Sequence, residues 1–372
     1  VNRSHFALAV VVTVIGVLLV AVHPLEKGEP PADLPAANDP PPRGYIAYRA
    51  SEPITVDGKL DDRAWAAAPW SEPFRDIEGD KKPEPRFRTR MKMLWDNSAL
   101  YIAAELEEPH VWAMLTKHDS VIFQDPDFEV FLDPDADSHN YGELELNARN
   151  ATWDLLLPKP YKDGGPAVNG WEIIGLKTGV HVDGTLNDPR DTDRGWTVEI
   201  AWPWAGLKEL AKCPVPPRDG DQWRINFSRV EWDIEIVGNE YRKIPKRPEH
   251  NWVWSPQGVI DMHRPERWGL VQFSTAAPGT VTFAGDPAQP ARDYLHRVYY
   301  AQRDYRKTRG WYSANLLGLG TGLGEHLADP RLEATRNTFE ASVELRRPDG
   351  RRERWRIAHD AKIVPERGNE HP

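Results

Sequence analysis

Between residues 44 and 274 apolar and polar positions alternate in short runs separated by turn clusters. In GELELN (142–147), Leu144 and Leu146 interleave with Glu143, Glu145 and Asn147. In DFEVFLD (127–133), Phe128, Val130 and Leu132 fall on the face opposite Glu129. A period of two is the signature of strands with one buried face. The pattern predicts eleven strands, at 45–50, 53–58, 89–95, 99–106, 127–133, 142–147, 152–157, 171–182, 196–202, 222–232 and 269–273. WDNSAL, with Asp96 and Asn97 suited to positive φ, reads as a hairpin turn. One helix is expected after Pro203, in WAGLKELAK. This run of strands implies an all-β, antiparallel β-sandwich of jelly-roll type over 44–274.

The pattern changes on both sides of that body. Residues 275–291 are rich in Pro, Gly and Ala and read as a linker. From 292 to 310, Tyr294, Leu295, Val298, Tyr299, Gln302 and Tyr305 recur at helical spacing and stop at Gly310. Strand-like pieces then flank a turn at Pro348-Asp349-Gly350. Residues 292–372 are therefore expected to form a small α+β module, with contact to another protein as its expected role. The six arginines from Arg346 to Arg356 read as solvated edge charges. At the other end, residues 6–22 are apolar throughout and follow Arg3 and His5. Residues 1–22 read as an export signal or an N-terminal membrane anchor. The seven prolines of 23–43 make an extended spacer. The expected location is outside the cytoplasm, in the periplasm or on the cell surface.

Composition narrows the functional classes. A net charge of -10 lacks the basic footprint that nucleic-acid binding requires. The single cysteine, Cys213, permits neither an intramolecular disulfide nor a thiolate zinc cluster. Sixteen tryptophans are many, and Trp65, Trp95, Trp196 and Trp202 occupy alternating apolar positions expected in the core. No G-x-S-x-G, H-E-x-x-H or P-loop pattern is present.

Candidate chemistry is concentrated in FQDPDFEVFLDPDADSHNYGELELN (123–147), which carries eight carboxylates. Asp133, Asp135 and Asp137 stand at alternate positions, as in a calcium loop or a solvated acidic turn. Glu129, Glu143 and Glu145 would supply a glycosidase pair if their strands are neighbours, but recognition sites use the same groups.

TVDGKLDDRAW (55–65), MLWDNSALYIAAEL (93–106), DFEVFLDPD (127–135), GWTVEIAWPW (195–204), WRINFSRVEW (223–232) and WSPQGVIDMHRPERWGLVQF (254–273) occur in an order and spacing that resemble the family 9 carbohydrate-binding modules. The likeness covers residues 45–273. It implies a β-sandwich that holds sugar between two aromatic rings over acidic and amide groups, with structural calcium. On this likeness Glu129 takes the place of a sugar-binding glutamate and Asn147 that of a sugar-binding asparagine. Phe123 falls at the first stacking ring and Met262 at the second. Glu145 stands where typical members have arginine, and Ser228 where they have glutamine. Trp252, Trp254 and His263 are alternatives to Met262 for stacking. The candidate carbohydrate-binding set is thus Phe123, Glu129, Glu145, Asn147, Trp252, Met262 and His263, with no catalytic residue. The expected function is non-catalytic binding of oligo- or polysaccharide on a concave sheet face, in support of carbohydrate catabolism. A glycoside hydrolase is one alternative. Another is a b-type haem electron-transfer protein, because related sandwiches bind haem through methionine with lysine or histidine. Met262 and His263 are adjacent and cannot face each other across a haem ring, so Met114, Lys117 or His118 would have to supply the second ligand.

Overall fold

The computed structural model describes residues 41–366. The expected export signal or anchor and nearly all of the proline spacer lie outside the described residues. Fourteen strands occupy the body: β1 (Gly44–Arg49), β2 (Arg75–Asp76), β3 (Thr89–Trp95), β4 (Ala99–Glu107), β5 (Asp127–Asp133), β6 (Tyr141–Asn147) and β7 (Thr152–Leu157) come first. They are followed by β8 (Lys177–Asp183), β9 (Gly195–Pro203), β10 (Gln222–Glu231), β11 (Ile234–Val237), β12 (Glu240–Lys243), β13 (His250–Val253) and β14 (Gly269–Ser274). Ten of them form one path, β7-β6-β5-β10-β14-β1-β3-β4-β9-β8, with β13 added to β10 and β2 to β13. Neighbours are antiparallel except where β1 runs parallel to β14 and β3.

The sheet curls so that its two ends pack face to face. Phe128, Val130, Leu144 and Phe227 from one end share a core with Met93, Ile102, Val198 and Trp202 from the other. These are the apolar members of the alternating runs, so the predicted sandwich and its inner face are observed. Trp95, Trp196 and Trp202 lie in that core, whereas Trp65 packs outside it with Tyr48, Leu94 and Ala103. The Trp65 indole N–H donates to Glu199 Oε1 at 2.7 Å, and Glu199 Oε2 accepts the N–H groups of Asp57 and Gly58 at 3.0 and 2.9 Å. Gly58 has φ +88°, and a Cβ there would lie 2.4 Å from the Val180 carbonyl carbon. The TVDGKLDDRAW motif is therefore a loop locked onto β9, and only glycine fits its tightest point.

Several expected elements differ for local reasons. Residues 53–58 form no strand because their N–H groups bond to the Asp62 and Glu199 carboxylates. The expected 171–182 strand begins only at Lys177, since the Ile173 N–H is held by Asp154 Oδ2 at 2.6 Å. The helix after Pro203 is a short 3-10 turn, Trp204–Leu207. The hairpin β11–β12 and strand β13 lie between the last two expected strands, where the sequence pattern predicted none.

The C-terminal part is the expected α+β module: α1 (Gln289–Arg309) against a sheet ordered β15 (Leu327–Ala334), β16 (Phe339–Arg346), β17 (Arg352–Ala358) and β18 (Ile363–Pro365). Tyr294, Leu295 and Val298 of α1 bury with Val343, Trp355 and Ile357. Strand β15 was not foreseen, and the helix starts at Gln289 because Asp286 Oδ1 accepts the Ala288 N–H at its entry. The intervening segment is docked on the sandwich. Gly279 N–H donates to Tyr48 Oη, Ala284 N–H donates to Gln272 Oε1, and Asp286 pairs with Arg292 at 3.0 Å. Tyr299 and Arg303 both bond to Asp163, and Tyr300 bonds to Glu266, so α1 is tied to sandwich loops by hydrogen-bonded charges. Arg351, Arg352, Arg354 and Arg356 pair with Asp349, Glu344, Asp329 and Glu340 along the sheet surface, as edge charges would. Among the described residues no helix is long and apolar enough to cross a membrane.

Candidate functional site

The face of β5, β6 and β10 that turns away from the core carries the acids. Glu129 of β5 stands opposite Glu145 of β6 and Ser228 of β10, Asp127 opposite Asn147 and Val230, and Phe131 opposite Glu143. Because neighbours in register share a face, Asp127, Glu129, Glu143 and Glu145 converge. All four are buried, with Glu129 the most accessible at 6%. Protein partners satisfy them only in part. Glu145 Oε2 accepts the Phe123 N–H at 2.9 Å, and Asp127 Oδ1 accepts the Val230 N–H at 3.1 Å. Asp127 Oδ2 and Glu143 Oε2 have no hydrogen-bond partner among the described residues. Buried polar atoms without partners are uncommon in folded proteins and mark a place prepared for something else.

Burial and mutual repulsion hold protons on this cluster. The Glu129 carboxyl is pushed up to about 7, first by burial and then by the charge of Glu249, against the pull of the Ser228 hydroxyl. Asp127, Glu143 and Glu145 are raised well above the usual carboxylate range, first by burial and then by one another and Glu129. Burial thus favours the protonated form of these acids, and a carboxyl that keeps its proton can donate as well as accept. That combination suits vicinal hydroxyls, each of which needs a donor and an acceptor. Oxygens of Asp127, Glu129 and Glu145 lie within 4.8 Å of one another, a spacing that would also suit a cation.

Aromatic rings border the acids. Phe123 is half-buried on one side, and its carbonyl accepts the Trp232 indole N–H at 3.0 Å. The Lys243 ammonium lies 3.4 Å from the Trp232 ring centroid. Trp153 is the cross-strand partner of Glu145. On the other side Tyr161 is 46% exposed, with its ring 4.5 Å from that of His263. The Tyr161 phenol is raised to about 12 by burial and by the charges of Glu143 and Glu145, so it remains a donor beside the acids.

Phe123, Glu129 and Glu145 thus come together as the sequence suggests. Asn147 shares their face, but its amide is fully engaged. Nδ2 donates to Leu115 O and Asp125 Oδ2, each at 3.0 Å, while Oδ1 accepts the Arg149 and Ala151 N–H groups. It fixes the loop under Phe123 and has no group left for a ligand. Met262 packs half-buried against the Phe131, Tyr141 and Trp268 cluster, and its carbonyl accepts the Trp268 indole. His263 Nδ1 lies 2.9 Å from Tyr141 Oη, and its ring meets Phe131 and Tyr161 edge-on. Burial and then Lys162 lower His263 to about 3, so it is a neutral buttress behind Tyr161. Trp252 must be removed from the set. It pairs with Arg229, which follows Ser228 and so points to the opposite, inner face. There its ring lies 5.2 Å from the Arg229 guanidinium and beside Phe87. Trp254 is likewise core.

Sequence reasoning passed over Asp127 as a site residue, although the alternation that exposed Glu129 applies to it equally. Tyr161, Trp232 and Lys243 had no such signal, because a turn and a hairpin far along the chain bring them in.

Asp133, Asp135 and Asp137 do gather within 4.8 Å, but they do not form a solvated turn. Asp133 is fully buried with Oδ1 unpartnered, and Asp137 Oδ2 lies 3.1 and 3.3 Å from the Lys212 and Lys362 ammonium groups. The Ile363 N–H donates to Asp137 O and Arg292 to Ala136 O, so the loop is clasped by the C-terminal module. A cation here would have to compete with two lysines for Asp137.

Residues 56–213 match the model of the carbohydrate family 9 binding domain-like family. Among solved structures, the chain is similar to a family 9 carbohydrate-binding module from Caldicellulosiruptor kristjanssonii in complex with cellotriose, at 16% identity and a TM-score of 0.41, over 66% of this chain and 100% of that one. The glucose complex of a family 9 module from the same organism gives 17% identity and a TM-score of 0.41, over 64% of this chain and 100% of that one. A protein of Bacteroides uniformis described as carbohydrate-binding gives 15% identity and a TM-score of 0.46, over 63% and 100% of the two chains. No curated protein matches the chain. The matched residues include β5 and β6 with all four converging acids, so it is this stretch of the sandwich, residues 56–213, that matches the carbohydrate family 9 binding domain-like family.

Proposed function

We propose that this chain binds the end of an oligo- or polysaccharide, without cleaving it, on the outer face of β5, β6 and β10. The observation that carries the reading is the buried cluster of Asp127, Glu129, Glu143 and Glu145, with acceptor atoms left unpartnered and aromatic rings at its border. Phe123 and Tyr161 stand on either side as stacking surfaces, and the acids between them take the sugar hydroxyls. A pyranose offers apolar C–H faces and a polar rim, which is the complement of that arrangement. Glucose and cellotriose, found in the two C. kristjanssonii complexes, are the first ligands to try. The apolar run at 6–22 supports a location outside the cytoplasm, where such binding would serve carbohydrate uptake or breakdown.

Calorimetric titration of the full chain with cello-oligosaccharides, after a broad glycan screen, tests the proposal. Phe123→Ala and Tyr161→Ala are each expected to weaken binding about tenfold, or about 1.4 kcal/mol, the size of one aromatic contact. Both variants should unfold at the wild-type urea midpoint. Binding unaffected by both changes, or no glycan bound at all, would count against this site.

A further inference from the structure

At the edge of the sandwich, away from the acids described above, the loop between β4 and β5 brings His118 and Asp119 against Asp154 of β7 and Glu172 of the segment before β8. We propose that His118, Asp119 and Asp154, with Glu172 beside them, form a binding site for a zinc-like divalent transition-metal ion.

The protonation geometry of the imidazole is the first argument. His118 Nδ1 lies 3.1 Å from the carbonyl oxygen of Thr152 and 3.0 Å from its hydroxyl. A carbonyl only accepts, so Nδ1 carries a ring proton, and it is Nε2 that can give up its own and present a lone pair to a cation. That nitrogen faces Glu172 Oε1 at 3.2 Å, Asp119 Oδ1 at 3.3 Å and Asp154 Oδ1 at 3.6 Å. The imidazole nitrogen and one oxygen each of Asp119 and Asp154 lie within 4.8 Å of one another, close enough for one cation to sit between them, with the Glu172 carboxylate against the imidazole. A histidine that donates its other N–H to a backbone carbonyl is also the usual posture of a metal-bound imidazole.

Spacing is the second argument. With zinc–ligand distances of about 2.0–2.1 Å, the edges of a tetrahedron of N and O ligands are about 3.3–3.4 Å. The three distances from Nε2 straddle that value.

Asp154 is the third argument. It is 1% exposed, and Oδ2 accepts the Ile173 N–H at 2.6 Å, but Oδ1 has no hydrogen-bond partner and is directed at His118 Nε2. A buried carboxylate oxygen so placed needs a partner that the protein does not supply. One imidazole nitrogen with two carboxylates selects zinc, cobalt or nickel over calcium or magnesium, which favour all-oxygen cages. Asp119 holds φ +60°, a conformation costly for a non-glycine residue, and its N–H donates to Thr152 O at 3.0 Å. A bound ion would join two segments and steady the loop that ends at Phe123.

The test is titration of the full chain, first freed of metal with a chelator, with Zn2+ by calorimetry and Co2+ by visible absorption. The wild type should take up one ion more than His118→Ala, and the cobalt band of a tetrahedral site should appear only in the wild type. Asp154→Asn keeps the acceptor for Ile173 and should weaken the affinity at least tenfold. Zinc should raise the unfolding midpoint of the wild type but not of H118A. If uptake, cobalt spectrum and midpoint are the same in wild type and H118A, any metal sits elsewhere and the proposal is overturned. A wild type that takes up no zinc overturns it equally, and leaves the sugar site untouched.

Discussion

Replacing Glu129 by glutamine should stabilise this protein, and only at neutral to alkaline pH. Its carboxyl is raised from 4.5 to about 7 in the folded state, chiefly by burial and then by Glu249. Below pH 4.5 the group is protonated in both folded and unfolded chains and contributes nothing. Between 4.5 and 7 the unfolded chain has released this proton while the folded chain retains it, so stability falls as pH rises. Above 7 both are ionised, and the full penalty of the buried charge is present. At about 1.4 kcal/mol for each tenfold change in proton affinity, the penalty is about 3 kcal/mol. Glutamine has the same shape and cannot ionise. Urea midpoints of wild type and Glu129→Gln, measured from pH 4.5 to 8.5, should therefore be nearly equal at the acid end. They should separate through pH 6 and differ by about 3 kcal/mol at pH 8.5, in favour of the variant. Loss of the Glu129 charge also relieves Glu143 and Glu145, whose proton affinities it raises, which acts in the same direction. A difference that does not change with pH, or a variant less stable at pH 8.5, would refute the reasoning. Gaining stability by removing a group suited to ligand is the expected trade at a binding site.

Arg229→Met should have the opposite effect. The guanidinium is fully buried, 2.6 Å from Glu108 and 2.7 Å from Glu231, and its loss leaves Glu108 inside without a counter-charge and Glu231 with Arg86 alone, at 3.2 Å. A destabilisation of about 3–5 kcal/mol is expected in urea unfolding at pH 7, diminishing toward pH 4 as Glu108, whose carboxyl burial and then Glu231 hold well above the usual range, takes up a proton. Trp65→Phe removes the indole donor from Glu199 and should cost about 2 kcal/mol by the same measurement, while glycan affinity stays at the wild-type value because Trp65 packs far from the acidic face.

The sequence by itself determined the sandwich, the inner face of its strands and the placement of Glu129 and Glu145 on the outer one. It could do so because alternation is a local property: the pleat puts Phe128 and Glu129 on opposite sides whatever the neighbouring strand is. The core positions of Trp95, Trp196 and Trp202 were legible for the same reason. Everything that depends on which strands become neighbours was decided by the tertiary structure. Pairing of β5 with both β6 and β10 turned scattered carboxylates into one buried group with raised proton affinity. Pairing of β13 with β10 placed Trp252 opposite Arg229, which put a residue with a plausible stacking ring inside the core. The amide of Asn147 was claimed by Leu115 and Asp125, and the turn at Tyr161 supplied a border ring that no local pattern announced. The same long-range packing docked α1 on the loops around Asp163 and Glu266, where composition had suggested only a linker and a separate module. Local periodicity fixes the side of the sheet on which a residue lies, but only the fold decides which residues it meets there.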